Sequence, residues 1–125
     1  MASATLTTTG QAYGLQAKKP IAVVSDGTSI WVAGSGVVHK YTISGGVYVG
    51  VVIRLNEEIV AMIISSTHLL IATDKGKVYS YVASSAAYEG LPLDLVNVGI
   101  TAMAISTGVA YITTNDGEVL AYTIG

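Results

Sequence analysis

The chain of 125 residues is long enough for one domain with a buried core, and a composition of 51% hydrophobic against 11% charged residues excludes a disordered chain. A formal net charge of −2 argues against nucleic-acid binding, which draws on clustered Lys and Arg, and without cysteine there is neither a disulfide framework nor a thiolate metal site. Mean hydropathy of +0.59 invites a membrane reading, but two of the longest apolar runs, Val47 to Ile53 and Ile59 to Ile64, are strand-sized and fall far short of the roughly 20 residues a spanning helix needs.

The amino terminus, Met1-Ala2-Ser3-Ala4-Thr5, has neither the basic start nor the apolar stretch of a secretory signal. The expected setting is therefore the cytoplasm or a virion. No stretch keeps apolar residues at helical spacing for three turns, while β-branched and small residues dominate, so little or no helix is expected. Residues 1–17 read as a leading strand, because Thr8-Thr9-Gly10-Gln11-Ala12-Tyr13-Gly14-Leu15 is similar to Ser84-Ser85-Ala86-Ala87-Tyr88-Glu89-Gly90-Leu91.

Residues 20–55 then form the first copy of a repeated unit, opening with Ile21-Ala22-Val23-Val24-Ser25. Residues 58–97 form the second, with strands predicted at about 59–65, 68–73, 77–83 and 87–95. Residues 99–125 contain the first three strands of a third, in which Ala102-Met103-Ala104-Ile105-Ser106 parallels Ala61-Met62-Ile63-Ile64-Ser65. The turn glycines Gly36, Gly76 and Gly117 lie 40 and 41 residues apart, and each precedes a tyrosine, Tyr41, Tyr81 or Tyr122, by five residues. Lys75-Gly76 and Asp116-Gly117 supply tight hairpins, since Gly accepts the positive φ such turns demand. Pro92 places the fourth strand at a sheet edge, where a missing N–H breaks no ladder. Ala61 to Ile64 is apolar at every position, which implies burial on both faces of the strand.

The segments 71–81 and 112–122 share the form apolar-x-Thr-x-x-Gly-x-Val-x-x-Tyr. That pattern resembles the second and third strands of β-propeller blades, closest to the quinoprotein-like and WD40-like repeats. The resemblance implies an all-β chain of three four-stranded antiparallel blades. It departs from those families in having no Trp-Asp pair at the end of the third strand and no Asp after Tyr41, Tyr81 or Tyr122, so no cofactor or ligand role is carried over. Three blades do not close a ring, for which four to eight are typical, so a closed propeller is expected through homo-oligomerisation. Two chains would give six blades and three would give nine. The leading strand over residues 1–17 is expected to complete a last blade, that of a neighbouring subunit.

No catalytic motif is present, and no catalytic, cofactor-binding or metal residue is assigned. His39 and His68 occur singly in strands and read as surface or hydrogen-bonded residues. Trp31, whose repeat equivalents are Leu70 and Tyr111, reads as core, as do the recurrent tyrosines. Asp26, Asp74 and Asp116 read as turn residues, and Lys18-Lys19 and Glu57-Glu58 as solvated loops. In a propeller the loops from strand two to three and from strand four to the next blade share one face. Lys18, Lys19, Glu57, Glu58, Asp74, Lys75, Asn115 and Asp116 all fall there, making it the expected binding face, with a protein as its partner. The expected function is a non-enzymatic structural or interaction protein, a self-assembling scaffold that binds neither nucleic acid nor membrane. Alternatives are a carbohydrate-binding propeller lectin and a structural component of an archaeal virus particle.

Overall fold

The computed structural model describes residues 5–10, 19–65, 67–96 and 98–124. Its strands run β1 Pro20–Ser25, β2 Ser29–Gly34, β3 Val37–Thr42, β4 Tyr48–Arg54, β5 Ile59–Ser65, β6 His68–Thr73, β7 Lys77–Val82, β8 Tyr88–Asp94, β9 Ile100–Ser106, β10 Val109–Thr114 and β11 Val119–Thr123. They form three antiparallel sheets in simple meander order, β1-β2-β3-β4, β5-β6-β7-β8 and β9-β10-β11. These are propeller-type blades, the all-β architecture that the repeat pattern implied. The third blade holds three strands among the described residues. Residues 5–10 are exposed and outside any strand, and residues 1–4 and 11–18, with most of the expected leading strand, lie outside the described residues.

Turn chemistry sets the hairpins. Between β1 and β2, Asp26 Oδ1 accepts hydrogen bonds from the backbone N–H of Thr28 and of Ser29, both at 2.9 Å. Those bonds hold the carboxyl below its ordinary value. Between β6 and β7, Gly76 adopts φ +80° and its N–H donates to the Thr73 carbonyl at 3.1 Å.

The blades stack through their inner strands, with β5 lying between β1 and β9. Period-two alternation divides the work of blade two between its neighbours. Leu69 and Ile71 of β6 join Trp31, Ala33 and Val38 in the core between blades one and two. Leu70 and Ala72 of the same strand join Ala110 and Ile112 in the core between blades two and three. Leu69, Ile71 and Ala72 are fully buried, and truncating a Leu or Ile there to Ala would cost about 2–5 kcal/mol. Among the described residues no helix is long and apolar enough to cross a membrane.

Candidate functional site

The residues expected on one loop face are brought together by backbone hydrogen bonds between the two kinds of loop. The Asp74 N–H donates to the Glu58 carbonyl at 3.0 Å, and the Asn115 N–H to the Gly99 carbonyl at 2.9 Å. The Leu55 N–H reaches Gly36 O and the Leu95 N–H reaches Gly76 O, each at 2.7 Å. Lys19 is exposed just ahead of β1, and Lys18 lies outside the described residues. Asp74, Lys75 and Asn115 line a small hollow of about 270 Å³ with Val98 and Gly99. Asp116 accepts a hydrogen bond from the Thr114 hydroxyl within its own turn. Among the described residues no cluster of His, Asp or Glu is arranged to hold a metal ion.

Glu57 departs from the solvated-loop reading. Its Oε1 accepts from the Thr73 hydroxyl at 2.6 Å, its Oε2 from the Tyr79 hydroxyl at 2.8 Å, and Lys77 Nζ stands 3.5 Å away. Burial by itself would raise the Glu57 carboxyl, but the bonds from Thr73 and Tyr79 and the charge of Lys77 outweigh it and hold the group below its ordinary value. The partners come from strands that only the tertiary fold brings near.

The histidines are both engaged. His39 Nδ1 lies 2.9 Å from the Tyr48 hydroxyl, and burial together with the nearby Arg54 charge pushes the imidazole below its ordinary value. His68 Nε2 lies 2.8 Å from Glu89 Oε1. Trp31 is buried between blades one and two, with Lys40 Nζ 5.5 Å from its ring centroid, as its reading as core requires.

Apolar side chains are exposed on all three blades, but in blade three they include positions whose repeat equivalents are buried. Register places Val38, Val78 and Val119 at one repeat position, opposite Ala33, Ala72 and Thr113. Val38 is 0% and Val78 4% exposed, each facing the following blade, whereas Val119 is 70% exposed. Tyr111, the counterpart of the buried Trp31, is exposed on the same outer face. Aromatic pairing shows the same break. Tyr41 packs on Tyr48 at 5.2 Å between ring centroids and Tyr81 on Tyr88 at 5.4 Å, both pairs tilted. Tyr122, the third of the series, is exposed and meets no other ring among the described residues. Gly117 agrees: a Cβ added there meets nothing within 4 Å, whereas one added at Gly36 or Gly76 meets backbone of the linker leaving its own blade. Tyr111, read as packing through its equivalence with Trp31, is instead exposed on the outer face, whereas Tyr122, read as filling between blades, does face blade two and is only part-covered there. The available signal was that they sit in the one copy with three strands.

No family model and no curated protein matches the chain. Among solved structures, U3-55K, a WD40 β-propeller, is similar with a TM-score of 0.72 at 18% identity, over 89% of this chain and 37% of that one. The computationally designed Ika8 protein is similar with a TM-score of 0.65 at 16% identity, over 84% of this chain and 33% of that one. The designed Ika4 protein gives 0.56 at 13% identity, over 90% of this chain and 94% of that one. The chain thus spans about a third of the length of U3-55K and Ika8, and at these identities the likeness concerns the fold.

Proposed function

We propose that this protein is a non-enzymatic scaffold that assembles into a closed propeller, the outer face of blade three packing on blade one of another copy. The observation that carries the reading is Val119, exposed at a position whose two repeat equivalents are each buried by a following blade. Val119 and Tyr111 are exposed together on this outer face, and an apolar patch left in water is the mark of an interaction surface. A head-to-tail contact between identical chains covers it and closes the ring by cyclic symmetry.

Two copies make a six-bladed ring and three copies a nine-bladed one, and the six-bladed dimer is the first expectation, as the commoner ring size. In such a ring the leading segment of one copy adds the fourth strand to β11 of its neighbour. The similarity of residues 8–15 to residues 84–91, which include the start of β8, supports that pairing. The loop face bearing Glu58, Asp74, Lys75 and Asn115 is where a protein partner would bind, because a rigid ring repeats it around its rim. Light scattering on the purified chain at micromolar concentration tests the proposal. A mass of two or three chains is expected, and a stable monomer overturns it.

A further inference from the structure

The two interfaces between blades use the same repeat positions but are filled differently. Between blades one and two, the space next to the third strands is occupied by Trp31 and Lys40 from one wall and Leu69 from the other. Between blades two and three the same three positions carry Leu70, Ser80 and Ala110. All three replacements are smaller, and a cleft of about 540 Å³ opens there. That is within the size range of small-molecule sites, which are concave, mostly apolar and furnished with a few convergent polar groups.

The polar groups of this cleft are likewise peculiar to it. Its walls include Leu70, Val78, Leu93, Met103 and Ile112, and one end carries His68, Ser80 and Glu89. Glu89 Oε1 takes the contact from His68 Nε2 at 2.8 Å and accepts from the Ser80 hydroxyl at 3.3 Å. Its Oε2 has no hydrogen-bond donor among the described residues. In blade one the positions of His68 and Glu89 are held by Ser29 and Val49, so the packing deficit and the carboxylate coincide at the same interface.

We propose that this cleft binds a small amphiphilic amine, its apolar body lying between Leu70 and Ile112 and its ammonium head donating to Glu89. A carboxylate with an unused oxygen at the mouth of an apolar slot selects a cationic donor over a neutral or anionic head. The cleft is lined by one chain, and Tyr122 and Thr123 of β11 form its edge, where a strand added by a neighbour would border it.

Titration of the intact protein with 2-phenylethylamine, followed by calorimetry and by methyl NMR of Met103 and Ala110, tests it. Saturable binding with one site per chain is expected, with ethylbenzene weaker. Leu70→Trp combined with Ser80→Lys installs the blade-one residues, and binding should be lost while the thermal transition is kept. Glu89→Gln, which keeps the shape of the cleft, should weaken binding by about tenfold or more, the effect of removing one charge-assisted acceptor. No saturable response, undiminished binding by the filled variant, or full-strength binding by Glu89→Gln would each overturn the proposal. So would loss of binding as the protein concentration is raised to favour assembly, because the cleft would then be the seat of a neighbour's strand.

Discussion

The Tyr79 hydroxyl donates a 2.8 Å hydrogen bond to Glu57 Oε2, fastening the third strand of blade two to the linker that enters that blade. With the Thr73 hydroxyl on Oε1, the carboxylate serves two donors from different strands. Glu57→Ala would strand both, and a loss of about 1–3 kcal/mol is expected in urea unfolding. The bonds depress the carboxyl in the folded state, so their contribution is present above its ordinary value of 4.5 and is lost as pH falls through the lower folded value. The stability gap between wild type and Glu57→Gln should accordingly narrow on acidification below that value.

The same pair is open to observation from the tyrosine side. Burial first, then the bond and charge of Glu57, push the Tyr79 phenol up to about 12. A group that holds its proton more tightly when folded stabilises the fold below its unfolded value of 10 and ceases to do so as pH rises through 12. Ultraviolet titration should show one phenol among the eight tyrosines ionising near 12, missing in Tyr79→Phe.

Glycines at one repeat position should differ in their tolerance of a methyl group. At Gly76 a Cβ would stand 2.1 Å from the Val98 carbonyl oxygen and 2.3 Å from that of Leu95, at φ +80°. Gly76→Ala should cost roughly 2–5 kcal/mol through left-handed strain and overpacking together. Gly117→Ala meets open space, and only the strain of about 1–2 kcal/mol is expected in the unassembled chain. Chemical denaturation of the two variants side by side checks the ordering.

Val119→Asp and Val78→Asp place the same charge at equivalent positions. The first should leave the folding of one chain within about 0.5 kcal/mol of wild type while shifting the light-scattering mass to that of a monomer. The second buries an unpaired carboxylate between blades two and three and should cost more than about 3 kcal/mol.

The strands were legible because each is short, apolar and closed by a turn residue. Those expected at 77–83 and 87–95 are observed as Lys77–Val82 and Tyr88–Asp94, and the apolar run at Ala61 to Ile64 is the strand enclosed on both sides. Glu57 was not legible. Its partners lie 16 and 22 residues away in the chain, and a local reading of two adjacent acids sees only a hydrated loop. The cleft between blades two and three was hidden for a similar reason. Repeat alignment matched Trp31 with Leu70, but only the facing wall reveals that Ala110 fails to make up the difference in volume.

Strand β6 gives alternate side chains to two separate cores, Leu69 and Ile71 to one and Leu70 and Ala72 to the other. A slip of one residue in its pairing would exchange both sets at once, so no partial error is available to it. Blade two cannot loosen without unseating both its neighbours, and its amides should be the slowest in the molecule to exchange with deuterium.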